Sequence, residues 1–307
     1  MEIPSFLYGC FDWRENGLHW NHAPEFDLLS DAALHSTNPW IVLAAVTERA
    51  KHGDHRHARR LQPFFHRDEP FALSRVSLLV CASVAASEDL PMLREVLESD
   101  DRNARCYAAE GAELVGQLSL VPAMLEAWDR AETIHERETV GFGISEILEP
   151  EPGEIANQVG IQDAKPPRAP TPDDPPAMVW LLEKRARDAR EALEDPAPFP
   201  GLVTDAYEAL RAKLGDGTFV WEAEPLSVSR VVSRLLTAAK QGKRGIGGYL
   251  PLRHRLEAWT GMDCRPFFYA GEPRRLEIAA ALESFLESGE LERYVPGQRY
   301  FWGHPVP

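Results

Sequence analysis

Four histidines lie close together in one short segment, KHGDHRHARRLQPFFH, over residues 51–66. They are His52, His55, His57 and His66. Histidine nitrogens bind zinc, but a zinc helix of the HExxH kind needs two histidines four residues apart, so that both project from one face. The spacings here are 3, 2 and 9, and His55 and His57 would point to nearly opposite sides of a helix. The pattern therefore favours a solvated helix edge, with a metal site completed by a carboxylate such as Asp54 or Asp68 as the alternative.

A second candidate site lies in the stretch FLYGCFDWRENGLHWNH, residues 6–22. Asp12, His19 and His22 could form a metal site or an acid/base pair. An aromatic-rich leader more often covers the apolar end of a helical array, which would otherwise be exposed to water. We therefore expect an N-terminal cap here. A metal-dependent hydrolase or transferase that uses these three residues is the enzyme alternative.

Other catalytic signatures are missing from the sequence. No GxSxG hydrolase elbow occurs, and GKRGIGG at 242–248 lacks the GxxxxGK[ST] spacing of a phosphate-binding loop, so an interhelical turn is favoured over an anion site. No CxxC pair is present among the four scattered cysteines, Cys10, Cys81, Cys106 and Cys264. We therefore predict no enzyme activity, no cofactor and no metal.

The charge balance narrows the class of partner. The chain of 307 residues carries 33 Lys and Arg against 48 Asp and Glu, a formal net charge of −15. Nucleic-acid binding needs an excess of positive charge, whereas a basic protein would be attracted to this chain. The sequence has neither a secretory leader nor an apolar run of the ~18 residues that a membrane span needs. We predict a cytoplasmic protein that neither inserts into membranes nor binds nucleic acid.

The elements that would position these residues are helices. Asn38 can cap a helix with Pro39 in its first turn, and Gly53 ends it. A second helix is predicted from about Asp54, interrupted near Pro63. The segment FALSRVSLLVCASVAAS, 71–87, is apolar most of the way round and predicts a buried helix.

The helices after residue 87 repeat. LPMLREVL at 90–97 matches VPAMLEAW at 121–128 with a shift of 31, and each is followed by a turn and a longer helix. The longer helices align through Arg75, Arg105 and Arg137 at shifts of 30 and 32. A period in the low thirties that contains one helix pair is typical of a solenoid, because a single pair cannot bury its apolar face alone.

The unit SDDRNARCYAAEGAELVGQLSLVPAMLEAW, residues 99–128, resembles a HEAT-type repeat. It has Asp101 four residues before Arg105, then Ala108 and Ala109 and a glycine near the helix end. The resemblance covers roughly residues 38–149, although Arg75 and Arg137 lack the preceding Asp. It implies an all-α, right-handed solenoid of HEAT-like helix pairs whose second helices line a concave side.

Three segments follow from this pattern. They are 1–149, an aromatic cap plus HEAT-like repeats; 150–176, a proline-rich connector; and 177–307, a helical C-terminal part. The prolines of the connector favour an extended chain. In the last segment TFVWE and RYFWG predict short strands, and their surroundings, Gly217 to Pro225 and Gly297 to Pro305, are alike. This segment resembles C-terminal regions of HEAT-like proteins encoded beside bacterial toxins and secretion systems.

The repeat pattern also predicts an interaction surface. Two pairs of carboxylates recur at the shift of 31 and would form acidic rows, with a merely solvated face as the alternative. The predicted partner-binding residues are these four and an aromatic anchor, namely Glu95, Glu98, Glu126, Asp129 and Trp128. We predict a non-catalytic immunity or inhibitor protein that binds and neutralises a basic toxin or effector. The alternative within the binding class is a scaffold or adaptor of a secretion system.

Overall fold

A computed structural model of the chain describes residues 3–11, 17–20, 26–66, 73–150, 153–162, 199–242 and 249–307, with six further positions between 171 and 183. The described residues are mostly helical, in agreement with the predicted all-α class. The solenoid arrangement stays a prediction.

Twelve α-helices lie in the described residues. They are α1 Asp31–Leu34, α2 Pro39–Lys51, α3 Leu73–Val84, α4 Pro91–Leu97, α5 Arg102–Val115, α6 Val121–Asp129, α7 Ile134–Leu148, α8 Glu154–Gln162, α9 Phe199–Leu214, α10 Val228–Gln241, α11 Leu250–Thr260 and α12 Arg275–Glu287. Within the described part of the chain, every helix is too short or too polar to cross a membrane.

The strands are short and occur as three two-stranded hairpins. These are β1 Val220–Trp221 with β2 Glu224–Pro225, β3 Phe268–Tyr269 with β4 Glu272–Pro273, and β5 Tyr300–Phe301 with β6 His304–Pro305. The first and third lie where TFVWE and RYFWG predicted strands. The second was missed, although FFYAGEP has the same aromatic pair, two-residue turn and closing proline.

The chain forms two compact units. Unit 1 contains Met1–Val96 and Pro225–Pro307, and unit 2 contains Leu97–Glu224. The sequence prediction divided the chain instead at 149 and 176, because it followed the helical repeat and the prolines. Packing between residues more than 200 positions apart places the two ends of the sequence in one unit, and no local pattern signals that.

Helix ends follow the sequence closely. The Asn38 side chain accepts a hydrogen bond from the Trp40 amide at 3.0 Å, with Pro39 in the first turn. Asp101 caps α5 by accepting from the Ala104 amide at 3.1 Å, and Gly116 ends that helix in the left-handed conformation. These polar side chains satisfy amides that have no partner inside the helix.

Two predicted segments differ in the structure. The region after Asp54 forms a 3-10 helix, Ala58–Phe64, rather than an α-helix, because Pro63 has no amide to continue the α pattern. The predicted extended connector contains α8, which begins after Pro152 and ends before Pro166 in a stretch free of proline. Most of the rest of that connector, and most of the helix predicted at 178–195, lie outside the described residues.

Unit 2 is built on α5, α6 and α7, which pack on one another, with α8 and α9 against α7. A buried ion pair joins the two longer helices. The Arg105 guanidinium donates two hydrogen bonds to Glu136 Oε1, at 2.8 and 2.6 Å. Arg105, one of the residues behind the predicted HEAT resemblance, therefore links α5 to α7.

Unit 1 packs α2 against α3, and α10 against both α11 and α12. The N-terminal segment belongs to this unit, and Leu7 and Leu18 are buried in its core. The charged side chains of Arg253, Arg255 and Glu257 on α11 are also buried. A helix with buried charges on several faces needs polar partners from other parts of the chain.

Candidate functional site

A surface groove of about 520 Å³ lies in unit 2, beside the C-terminal half of α6. Its lining residues are Leu125, Glu126, Asp129, Arg130 and Pro200. Two of these, Glu126 and Asp129, belong to the predicted partner-binding set. The groove combines a short apolar floor with carboxylates at the end of a helix.

The basic side chain that lines this groove, Arg130, is hydrogen-bonded to backbone acceptors. Arg130 donates to the backbone carbonyl oxygens of Glu98 at 2.9 Å and Leu97 at 2.8 Å. Glu126 and Asp129 are exposed and have no ion-pair partner within the described part of unit 2. The groove therefore offers unpaired negative charge, which suits a lysine or arginine side chain from another protein.

Position on α6 explains why the two carboxylates share this groove. Glu126 and Asp129 are three residues apart, so they lie on one face of the helix. Ala123, Met124 and Ala127 on other faces are buried in the unit core. The amphipathic pattern of the helix thus fixes which side chains reach solvent.

The structure distributes the remaining predicted residues differently. Glu98 is exposed in unit 2 beside the Arg130 guanidinium, and Glu95 is exposed on α4 in unit 1. Trp128 is only 7% exposed, because its ring stacks on Phe199 with centroids 4.3 Å apart. Burial removes Trp128 from the candidate contact residues. In the repeat alignment, Trp128 matches Leu97, which is also buried. That match to an aliphatic residue could have indicated that Trp128 is a core residue.

A second cavity, of about 620 Å³, lies in unit 1 beside the histidine-rich segment. Four of its five charged side chains form ion pairs within the unit, and the fifth, Glu88, is exposed. Arg56 bonds to Asp54 at 2.8 Å, and Arg59 bonds to Asp89. The Ser87 amide and hydroxyl both donate to the Pro307 carbonyl. This cavity therefore leaves less charge for a ligand than the groove in unit 2.

The histidines of that segment do not converge. His55 is buried, with Nδ1 3.2 Å from the Val84 carbonyl oxygen, and burial lowers the pKa of its ring. His57 lies 3.3 Å from Asp54, and His52 lies 3.6 Å from Glu48. In the described residues, no group of three or more His, Cys, Asp or Glu side chains is arranged to hold a metal ion.

Of the second predicted site, only His19 falls in the described residues, whereas Asp12 and His22 lie outside them. His19 Nε2 is 3.5 Å from Glu257 Oε1 and 3.3 Å from the Met262 carbonyl oxygen. Burial lowers the pKa of the His19 ring. Its partner Glu257 on α11 was not among the residues predicted from sequence.

Glu257 is the centre of a buried polar cluster in unit 1. The Leu18 amide donates to its Oε1 at 2.9 Å, and Arg253 approaches its Oε2 to 3.6 Å. The side chains of Glu257 and Arg253 are fully buried. Desolvation raises the pKa of the Glu257 carboxyl to about 7.

Lys51 completes this cluster. Its ammonium donates to the Leu18 carbonyl at 2.7 Å and lies 3.4 Å from the centroid of the Trp20 ring. Desolvation lowers the pKa of Lys51 to about 8. Leu18 of the N-terminal segment therefore bonds to both charged groups: its amide donates to Glu257, and its carbonyl accepts from Lys51.

The cluster anchors the N-terminal segment and is closed to substrates. The Glu257 side chain is fully buried, and that of Lys51 is 8% exposed. Burial raises the pKa of the Cys10 thiol to about 11, and that of Cys264 above its usual range, so both thiols stay protonated and unreactive at neutral pH. Perturbed groups here hold the fold together, and the groove in unit 2 is the better candidate for binding.

Comparison of the chain with protein-family models, with curated proteins and with solved structures finds no match.

Proposed function

We propose that this chain is a non-catalytic, HEAT-like protein that binds and neutralises a basic toxin or effector, with the groove of unit 2 as its contact surface. The observation that carries the proposal is the pair of unpaired carboxylates, Glu126 and Asp129, on the wall of that groove. A basic side chain that enters the groove would find two carboxylate acceptors, while the Arg130 guanidinium is directed to the Glu98 and Leu97 carbonyls.

Two further features support this proposal. The net charge of −15 would speed encounter with a basic partner over distances beyond direct contact. The Arg105–Glu136 pair joins α5 and α7, and α6, which carries the groove carboxylates, packs on both of these helices, so the carboxylates are held on a rigid frame. Rigid presentation lowers the entropy cost of binding.

The experiment is co-purification of the chain with each product of the genes adjacent to its own, followed by calorimetric titration of any product that binds. The variant Glu126→Lys/Asp129→Lys should weaken that binding by about 100-fold or more, because each tenfold loss corresponds to only about 1.4 kcal/mol.

The matched control is Asp205→Lys/Glu208→Lys on α9. This variant changes the net charge by the same amount at exposed positions that do not line the groove. It should retain affinity within a few-fold, since only long-range attraction is reduced. Absence of any binding product, or equal losses for the two variants, would refute the assignment of the groove.

A further inference from the structure

The three hairpins share one local structure. Both residues of each two-residue turn have positive φ, at 52° and 60° for Glu222 and Ala223, 50° and 80° for Ala270 and Gly271, and 54° and 78° for Trp302 and Gly303. This is the type I′ geometry that matches the twist of tight hairpins. It directs the two turn amides outward, away from the strand pairing.

In unit 2, the first hairpin caps the end of a helix. The Glu222 amide donates to the Glu146 carbonyl at 2.8 Å, and the Ala223 amide donates to the Ile147 carbonyl at 2.9 Å. Both acceptors lie in the last turn of α7, where carbonyls have no partner inside the helix and carry partial negative charge. The turn therefore acts as a C-terminal cap supplied from a distant part of the sequence.

In unit 1, the third hairpin does the same for α11. The Trp302 amide donates to the Ala258 carbonyl at 2.7 Å, and the Gly303 amide donates to the Trp259 carbonyl at 2.8 Å. In both helices, the acceptors follow directly after the carbonyl that bonds to the C-cap amide. One geometry is thus used twice in the molecule.

The second hairpin has the same turn but caps no helix within the described residues. The amides of Ala270 and Gly271 donate no hydrogen bond there. Tyr269 is 76% exposed, whereas Trp221 and Phe301 at the equivalent strand position are 2% and 0% exposed. This hairpin is therefore a capping element without a helix end.

The first and last residues of the next helix, α12, have charges in the reverse of the order that a helix dipole favours. Arg275 begins the helix and Glu287 ends it, and neither has an ion-pair partner among the described residues, whereas Arg274 pairs with Glu277 in the first turn and Glu283 pairs with Lys240. The macrodipole of a helix prefers the opposite arrangement. An antiparallel neighbour of the same sequence would place arginines beside glutamates at both ends.

Exposed apolar groups and free acceptors mark the same helix. Leu276 is 83% exposed near its start, and Leu286 is 40% exposed near its end. Among the described residues, the carbonyl oxygens of Leu286 and Glu287 accept no hydrogen bond. Counted as in α7 and α11, the acceptors would be the Phe285 and Leu286 carbonyls, but the Phe285 carbonyl already accepts the Ser288 hydroxyl at 2.8 Å. The free acceptors for the second hairpin are therefore those of Leu286 and Glu287, one residue further on.

We propose that two copies of this chain associate through antiparallel α12 helices, with the hairpin β3–β4 of each copy capping the C-terminal end of α12 in the other. The two-fold arrangement uses the same surface on both copies and closes on itself. It brings Tyr269 and Leu276 of one copy towards Leu286 of the other, and Arg275 towards Glu287.

The first test is sedimentation of the purified full chain over a range of concentrations. We expect a dimer that dissociates on dilution. Tyr269→Ala and Leu276→Glu should each weaken dimerisation by about tenfold or more, as expected for an exposed apolar residue at an interface centre. Tyr8→Ala, at a position 66% exposed elsewhere in unit 1, should leave it unchanged.

The decisive test is a charge swap. Arg275→Glu alone and Glu287→Arg alone should each shift the chain towards monomer, because each homodimer would contain two like-charge contacts. An equimolar mixture of the two variants should restore the dimer, since opposite charges then face each other at both ends. Hydrogen exchange should show slower exchange of the Ala270 and Gly271 amides in the dimer.

Two results would overturn the proposal. One is that the chain stays monomeric at every concentration, even if the hairpin binds a different protein. The other is a dimer whose dissociation constant the Tyr269, Leu276 and charge variants do not change. A circular-dichroism melting curve for each variant separates loss of association from loss of folding.

Discussion

In the part of the chain that the structure describes, each unit buries one glutamate, and the two have different hydrogen-bond partners. In unit 2, Glu136 accepts two hydrogen bonds from Arg105 on one oxygen and the Glu132 amide at 3.0 Å on the other. In unit 1, Glu257 accepts the Leu18 amide on Oε1, while its Oε2 has no hydrogen-bond partner among the described residues. A buried carboxylate that is fully bonded stabilises a frame, whereas one that is half bonded makes stability depend on protonation.

This difference assigns separate roles to the acidic residues. Unit 2 keeps its buried carboxylate paired and leaves Glu126 and Asp129 unpaired at the surface, where they can meet a partner. In unit 1, the buried and incompletely hydrogen-bonded carboxylate of Glu257 holds the N-terminal segment through the Leu18 amide. Stability measurements should therefore detect the buried glutamates, and binding measurements should detect the exposed ones.

The largest expected effect is loss of the buried pair in unit 2. Arg105→Met leaves Glu136 charged and buried without its partner, and should lower the free energy of unfolding by about 3–5 kcal/mol. Urea denaturation measures this change. The double variant Arg105→Met/Glu136→Leu should recover most of the loss, because no unpaired charge then remains. A small effect of the single variant would contradict the pairing.

The next effect is the pH dependence that Glu257 introduces. Its pKa is raised from 4.5 to about 7, so between these values the folded state holds a proton that the unfolded state has released. Stability should therefore fall as the pH rises from 4.5 to 7, by up to about 3 kcal/mol. Glu257→Gln should abolish this component, visible as a pH-dependent difference from the wild type. Parallel curves for the two proteins would show that Glu257 does not titrate in this range.

A smaller effect is expected at Gly17, which lies against Glu257. Its φ is +55°, and a Cβ there would lie 2.1 Å from Glu257 Oε2. Gly17→Ala should destabilise the chain by about 2 kcal/mol through backbone strain and this contact. Gly215→Ala is the matched control, since φ is +87° but the nearest atom would be 3.9 Å away. Equal melting temperatures for the two variants would show that the close approach to Glu257 does not destabilise Gly17→Ala.

Local features could be predicted from the sequence, but contacts between residues far apart in the chain could not. The structure confirms the predicted cap at Asn38, and Asp101 and Gly116 begin and end α5 by rules that likewise depend on neighbouring residues. The burial of Glu257 depends on Leu18, 239 positions earlier, and the sequence PLRHRLEAWTG has no sign of this contact. The acidic residues of α6 were found from the repeat, but the groove also needs Pro200, which the repeat does not contain.

The smallest expected effect on stability, and the most direct test of the proposed function, comes from one calorimetric comparison. The affinities of Glu126→Lys/Asp129→Lys and of Glu257→Gln for the same basic partner are measured beside their melting temperatures. The groove variant should melt like the wild type and lose about 100-fold or more in affinity, whereas Glu257→Gln should bind within about twofold of the wild type. A groove variant that binds normally, with binding lost instead in Glu257→Gln, would contradict the account.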